Sequence, residues 1–387
     1  MIIGIIIGLI VLTLLVAAHE LGHAIVARRN GVVVEEYALG FPPKAIGKKV
    51  KKSFLGKNVE YRINWLPLGG YVRMKGEYDA SNKKGDYGAA SYWAKTKILF
   101  AGVAVNWLVA ALILTVLAWI GLPKIVDNQF SINGDYRTVI LEPGEVSIAS
   151  VVSKSIAEKN DIKTGDKLIR VNNQKVESAA AVSRLIKESS DDSNKITIEI
   201  ERSGNKITKV APIGKGEKLG IAMGERKARE MLYSTWSAPI VGVGTTLQFT
   251  GMTFTGVGNI LGKLVTGIVD KFNSSEIVRN GASQKLNEVS QSVTGPVGIL
   301  GVIFPQAGQM GLQMILFLAA IISISLAVMN VLPIPALDGG RWLVMTIYKL
   351  RGKVLTKERE ENIQSIGMII LLALMVVITY LDFTKLK

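Results

Sequence analysis

Four long apolar segments recur along the sequence and predict helices that cross a membrane. They cover residues 2–27, 97–121, 312–334 and 366–381. Each is close to the roughly 20 apolar residues that an α-helix needs to span the hydrocarbon core. The composition agrees, with 49% apolar residues and a mean hydropathy of +0.32. We therefore expect a polytopic α-helical membrane protein with about four transmembrane helices.

The region between the first two apolar segments alternates apolar and polar residues. Residues 59–65 alternate with a period of two, 66–70 have the composition of a turn, and 71–74 continue as a strand. The pattern predicts a membrane-associated β-hairpin over residues 59–75, whose apolar tip can enter the membrane. An ordinary surface hairpin is the alternative interpretation.

Residues 127–226 are richer in polar residues, and their apolar runs are short. Residues 162–172 contain a Gly-Asp turn before a strand that ends in Val-Asn, and 195–200 alternate like a strand. This order of elements resembles PDZ domains, which predicts an inserted PDZ-like α+β domain. Residues 227–311 are expected to form amphipathic helices at the membrane surface, with a further span near 239–269 as the alternative.

The net charge of +15 is distributed in a way that indicates topology. Residues 28–95 carry 14 Lys or Arg against 6 Asp or Glu, and basic residues also dominate 341–359. The positive-inside rule places both loops in the cytoplasm. Both termini and residues 122–311 are then extracytoplasmic. We expect no nucleic-acid partner because aromatic residues do not interleave with the basic ones; contact with the lipid bilayer explains the charge better.

The first apolar segment contains the run His19-Glu20-Leu21-Gly22-His23, with the only two histidines of the chain. On a helix, His19 and His23 share one face, so both rings can bind one zinc ion. Glu20 then lies beside the metal, where it can take a proton from water. Ionisable groups inside an apolar span are usually functional. The alternative is a pair of histidines at a helix end near lipid headgroups.

A third ligand has to come from elsewhere in the chain. Cysteine is absent, so the ligand must be a carboxylate. Asp338 follows the third apolar segment after Pro333 and Pro335, which interrupt regular helix bonding and predict an irregular turn at membrane depth. The predicted topology puts Asp338 on the same side of the membrane as the histidines. Its alternative role is a helix N-cap.

Other residues are candidates for supporting the site or the substrate. Asn330 could hydrogen-bond a substrate, or it could join two helices. Asn106 lies four residues after Gly102 in the second segment, a spacing that also suits simple helix packing. Because a protease needs an unwound substrate, a strand that includes Gly69, Gly70, Tyr71 and Val72 is expected to hold the substrate by β-augmentation.

The motifs together resemble the site-2 protease family of intramembrane zinc metalloproteases, and within it the bacterial regulator of sigma E proteases. The resemblance rests on the histidine run, on Asn-x-x-Pro-x-x-x-x-Asp-Gly-Gly from residue 330, on the Gly-Gly hairpin and on the PDZ-like region. It implies that His19, His23 and Asp338 bind one Zn²⁺ per chain and that Glu20 is the catalytic base. It also implies single-span membrane substrates such as anti-sigma factors or remnant signal peptides, in a bacterial inner membrane.

We therefore expect an intramembrane zinc metalloprotease with its active site towards the cytosol and a substrate or peptide at the PDZ-like domain. The expected parts are residues 1–121, 127–226, 227–311 and 312–387. Three alternatives remain at this point. One is a zincin open to the cytosol that cuts soluble or prenylated proteins. The others are a non-proteolytic PDZ scaffold and a metal-handling protein with a structural zinc.

Overall fold

A computed structural model of the protein describes residues 1–176, 178–192, 194–226 and 228–385. The helices are α1 (Ile2–Arg29), α2 (Tyr92–Ile120), α3 (Ile156–Lys159), α4 (Ala179–Asp192), α5 (Ala238–Lys271), α6 (Glu276–Ser292), α7 (Pro296–Gly298), α8 (Phe304–Met310), α9 (Leu312–Val331), α10 (Asp338–Leu350) and α11 (Lys357–Lys385). A π-helical turn, Ile299–Ile303, joins α7 to α8. The strands are β1 (Val34–Ser53), β2 (Gly56–Met74), β3 (Leu122–Lys124), β4 (Tyr136–Glu142), β5 (Glu145–Val151), β6 (Lys167–Val171), β7 (Gln174–Lys175), β8 (Lys195–Arg202), β9 (Asn205–Pro212), β10 (Ile221–Arg226) and β11 (Arg229–Ser234).

Five of the described helices are long and apolar enough to cross a membrane, namely α1, α2, α5, α9 and α11. Four of them contain or overlap the predicted apolar segments. The fifth, α5, was expected to lie on the membrane surface, because a further crossing would reverse the orientation of the third and fourth predicted spans relative to the positive-inside rule. About four transmembrane helices were expected, and five of the described helices have a suitable length and composition.

The chain forms two compact units. The first comprises residues 1–122, 128–136 and 233–387, and the second comprises 123–127 and 137–232. In the first unit, α2 packs against α1, α5 and α9. The contact faces of these helices are rich in Ala and Gly, including Ala110 and Ala320. Small residues let helix backbones approach closely where no water is available to drive packing, and this lets α1 and α9 both pack against α2.

The sheet in the first unit corrects the predicted hairpin over residues 59–75. The two arms of that hairpin do not pair with each other; residues 36–39 of β1 lie between them and pair with both. The spatial order is 70–74, 34–41, 56–66 and 44–53. The strand in the middle was missed because the fully buried Glu36 interrupts its apolar alternation. Arg62 and Arg73 pair with this carboxylate, which makes its burial possible.

The sheet lies along the second half of the helix that carries the histidines, from the middle of α1 onwards. The Thr13 hydroxyl oxygen lies 2.8 Å from the carbonyl oxygens of both Pro67 in the sheet and Leu9 in its own helix, which share its one proton. The Tyr37 hydroxyl donates to the carbonyl of Ala17 at 2.7 Å. Phe41 and Trp65 are exposed at the same end of the sheet. Because Thr13 is at the middle of α1, this apolar end of the sheet reaches the middle of an apolar helix.

The second unit is built around a β-sheet with the strand order β10-β5-β6-β8-β9, to which β7 adds at β6. A separate three-stranded sheet has the order β3-β11-β4. The apolar core of the larger sheet includes Val146, Ile148, Leu168, Val182, Leu185, Ile196, Ile198 and Ile200. The inward residues of β8 alternate with polar ones, as expected for a sheet with one buried face. Strand β10 is an edge strand.

Candidate metal centre

The two histidines face one point between α1 and α2. They are one turn apart on α1, and both are buried, at 7% and 6% exposure. Their Nε2 atoms are 3.1 Å apart, and their rings meet edge to face. The regular spacing of α1 is sufficient to produce this arrangement, because residues four apart lie on the same face of a helix.

Asp338, the first residue of α10, completes a triangle of ligand atoms. Its Oδ2 atom is 3.2 Å from Nε2 of His19 and 3.4 Å from Nε2 of His23. Zinc bonds to nitrogen and oxygen of about 2.0 to 2.1 Å imply tetrahedral edges of about 3.3 Å, which the three measured distances match. Oδ2 is also buried without a hydrogen-bond partner. The three residues therefore fit a zinc ion, and they form the only such group of metal-binding side chains in the described part of the chain.

The outer nitrogen of each ring has its own partner on α2. His23 Nδ1 is 2.7 Å from the carbonyl of Ile98, to which it donates when it carries the proton, and His19 Nδ1 is 3.2 Å from the side-chain amide of Asn106. The Oδ1 atom of Asn106 is buried without a partner. If the side-chain amide of Asn106 is rotated by 180°, its Oδ1 atom accepts a hydrogen bond from the protonated Nδ1 of His19, and both atoms then have a partner. In this tautomer Nε2 of His19 carries no proton and is free to bind a metal ion.

The backbone of α2 is in direct contact with the two imidazoles at Gly102. A Cβ atom at this position would lie 2.5 Å from Nε2 of His23 and 2.6 Å from Nε2 of His19. Only glycine allows this approach. Gly102 and Asn106 therefore both contact the histidines, in addition to packing α2 against α1.

Glu20 lies on α1 next to His19 and contacts the edge of the sheet. Its Oε2 atom accepts a hydrogen bond of 3.0 Å from the backbone N–H of Val72. Val72 belongs to the outermost strand, 70–74, so this N–H points away from the sheet. One carboxylate oxygen is thereby fixed, which defines the orientation of the other.

The other residues predicted to hold the substrate, Gly69, Gly70 and Tyr71, differ in what they contact. Gly70 lies against α1, where an added Cβ would be 3.8 Å from Cγ of Glu20, whereas Gly69 faces the ring of Phe41. The Tyr71 hydroxyl donates to Glu36 within the sheet.

Two further candidates belong to the chain segment that leads to Asp338. Asn330 is half-buried in the last turn of α9, and its side chain makes no hydrogen bond to the described residues. Pro333 belongs to the irregular turn between α9 and α10.

Comparison with known proteins settles the family. The model of peptidase family M50 matches residues 7–374. The chain belongs to peptidase family M50. It is 29% identical to a candidate zinc metalloprotease of Agrobacterium fabrum, over 98% of this chain and 95% of the relative. A Clostridium perfringens relative is also 29% identical, over 98% of both chains. The zinc metalloprotease RasP of Geobacillus kaustophilus is 24% identical over 97% of both chains.

Membership of family M50 confirms several predictions made from the sequence. The protein is a metalloprotease of the site-2 type, an integral bacterial membrane protein, and an enzyme whose cofactor is zinc. The lipid bilayer and membrane-protein substrates follow from the family as well. The scaffold and metal-handling alternatives are therefore wrong for this M50 peptidase.

Sequence reasoning missed the contacts that position these residues. The carbonyl of Ile98 carries no signal in its residue type, because any backbone can accept a hydrogen bond. Arg341 was noted only for its charge, although it lies three residues after Asp338, within one helical turn. On α11, Gln364 contacts the turn before α10 and Glu360 contacts Arg341 in the first turn of α10. Their only signal in the sequence was polarity at a four-residue spacing beside an apolar segment.

Proposed function

We propose that this M50 peptidase hydrolyses peptide bonds within or next to the transmembrane segments of single-span membrane proteins. In this proposal His19, His23 and Asp338 bind one Zn²⁺ per chain, and Glu20 is the general base. The observation that carries the proposal is the convergence of three ligand atoms, each within 3.4 Å of the other two, beside the Glu20 carboxylate.

The bound zinc would supply Lewis-acid polarisation of the scissile carbonyl and a lowered pKa for water. Glu20 would take the proton from the attacking water and return it to the leaving amine. The N–H of Val72 holds one oxygen of Glu20, so the carboxylate is already oriented for this transfer. Asn106 would fix the tautomer of His19 through Nδ1, and the carbonyl of Ile98 would do the same for His23.

The substrate would bind as an added strand at residues 70–74. A peptide bond inside a helix is protected by its own hydrogen bonds, so the substrate must be unwound and held. Three observations support this strand as the holder. It is at the outer edge of its sheet, its Val72 N–H reaches Glu20, and the sheet is attached to α1 at Thr13.

A second contact with the substrate would be made by the PDZ-like domain. Edge strand β10, helix α4 and the loop before β10 enclose a groove of about 440 Å³. Lys187 and Lys218 line it together with the apolar Ile186, Leu219 and Ile221, and with Glu217, whose carboxylate accepts from the N–H of Gly214. An extended peptide with a free carboxylate matches this lining. We include anti-sigma factors shortened by an earlier cleavage among such substrates, which would make the enzyme part of regulated intramembrane proteolysis.

The proposed orientation places the active site towards the cytosol and the PDZ-like domain outside the inner membrane. The concentration of Lys and Arg in residues 28–95 and 341–359 supports this sidedness. Accessibility labelling of single cysteines can test it, since the natural chain contains none.

The decisive test compares the unmodified protein with Glu20→Gln in vesicles that contain a model single-span substrate. We expect cleavage to fall by about 10²- to 10⁴-fold, the usual contribution of a general base, while zinc content stays at one per chain. Cleavage at an unchanged rate would reject Glu20 as the base. The Asp338→Ala variant tests the ligand set, and unchanged zinc affinity in that variant would reject it.

A further inference from the structure

The turn that carries Asp338 is not held by its own hydrogen bonds alone. Residues 332–337 are irregular, and Ala336 has a φ angle of +77°. A non-glycine residue in this region costs about 1 kcal/mol or more and persists only where the surroundings hold it. The Ala336 N–H donates a hydrogen bond of 2.6 Å to Oε1 of Gln364, a residue of α11. A separate helix therefore holds the turn at its strained residue.

A second contact holds the chain just after the metal ligand. Arg341, in the first turn of α10, places Nε and Nη2 each 3.0 Å from Oε1 of Glu360 on α11. The same guanidinium donates to the carbonyl of Glu77 and stacks 4.8 Å above the ring of Tyr87. Asp338 lies between the two points that α11 holds, Ala336 and Arg341.

Glu360 is suited to this role because its carboxylate is fully engaged. It is 3% exposed, so an unpaired charge here would be costly. One oxygen accepts from Arg341, and the other accepts a hydrogen bond of 2.9 Å from the N–H of Asp79. Asp79 in turn pairs with the buried Lys95 of α2. The carboxylate is therefore fixed from several directions and is a rigid point of attachment for α10.

One face of α11 makes all of these contacts. Glu360, Gln364 and Gly367 are spaced at four and three residues, which places them on a single face. A Cβ atom at Gly367 would lie 2.4 Å from the carbonyl oxygen of Pro335. Beyond this point α11 exposes mainly apolar side chains, such as Ile369 and Ile370.

We propose that Glu360 and Gln364 are positioning residues for the metal centre, which hold Asp338 Oδ2 beside the two histidines through Arg341 and through the N–H of Ala336. This inference rests on the proposed function, in which Asp338 is the third zinc ligand. A helix that contributes no ligand then determines the affinity of the site. Loss of either contact leaves His19 and His23 in place and loosens only the third ligand.

The experiment measures the zinc affinity of the full chain in detergent, by competition with a chelator of known affinity. The test variants are Glu360→Gln and Gln364→Leu, and the matched control is Glu358→Gln, at an exposed position of the same helix. We expect each test variant to bind zinc about 10- to 100-fold more weakly, as outer-shell changes usually do, and the control to be unchanged. Gln364→Glu keeps the acceptor for Ala336 and should retain most of the affinity.

A double-mutant comparison separates positioning from a general loss of stability. In an Asp338→Ala background, Glu360→Gln should cause no further loss of zinc affinity, because the residue acts through Asp338. An equal additional loss in that background would overturn the inference, as would full zinc affinity in both test variants. If Asp338→Ala itself binds zinc normally, the proposed ligand set fails instead, which is a distinguishable result.

Discussion

His19 and His23 lie one turn apart on a regular helix, whereas Asp338 follows an irregular turn with a strained residue at Ala336. The hydrogen bonds of α1 alone are enough to present both imidazoles on one face. The carboxylate depends on contacts with Gln364 and Glu360, which are distant in sequence from the turn. In the proposed site, two ligands are thus placed by local geometry, and the third is placed by tertiary structure.

We therefore expect substitutions in the histidine half of the centre (His19 and His23) and in the carboxylate half (Asp338) to change zinc affinity by different amounts. Damage to the histidine half should remove zinc binding almost completely, because it affects two ligands at once. Damage to the carboxylate half should weaken binding but leave a two-histidine site. The following changes test that contrast, from the largest expected effect to the smallest.

Gly102→Ala should have the largest effect. The new methyl group would lie 2.5 to 2.6 Å from the Nε2 atoms of both histidines, so the two rings have to move. Overpacking of this kind typically costs about 1 to 3 kcal/mol, and here it displaces both nitrogen ligands. We expect zinc affinity to fall by about 100-fold or more in chelator competition. Gly256→Ala is the control, since an added Cβ there contacts nothing within 4 Å. Equal zinc affinities in the two variants would contradict the prediction.

Asn106→Ala should have an intermediate effect. It removes the partner of His19 Nδ1 but leaves α1 intact, so the ring remains near the metal in a less favourable tautomer and orientation. We expect zinc affinity to fall by about 10-fold, measured in the same way. Asn106→Asp keeps an acceptor oxygen and should recover most of the loss. If Asn106→Asp lowers zinc affinity as much as Asn106→Ala does, Asn106 acts in helix packing and not through His19.

Thr13→Val should have the smallest effect and should spare both halves of the metal centre. It removes the hydroxyl whose proton is shared between the carbonyl of Pro67 in the sheet and that of Leu9 within α1. A bond of this kind contributes about 0.5 to 1.5 kcal/mol, so kcat/KM for a membrane substrate should fall by about two- to ten-fold. Zinc affinity should be unchanged. Thr255→Val removes a hydroxyl that bonds only within its own helix and is the control; a fall in zinc affinity with Thr13→Val would show that the sheet also shapes the metal centre.

The same contrast explains how far the sequence could be interpreted. The histidine pair and the apolar helices could be recognised because their signals are periodic and local. Asp338 could be selected only by combining the absence of cysteine with the predicted topology. The strand at residues 34–41 was missed because a buried Glu36 in a sheet is only possible with Arg62 and Arg73 beside it. The contacts of Glu360 and Gln364 follow from the packing of α11, for which their spacing in sequence gave little indication.

The separation of Asp338 from the histidines also has a consequence for biosynthesis. About 300 residues lie between His23 and Asp338. At roughly 5 to 20 residues per second, a growing chain carries both imidazoles for about 15 to 60 s before the carboxylate is made, and Glu360 comes later still. During that interval the nascent protein has only half of a binding site. With the proposed ligand set and the proposed role of α11, full capture of the metal, and with it proteolytic activity, waits until α11 has been synthesised and packed.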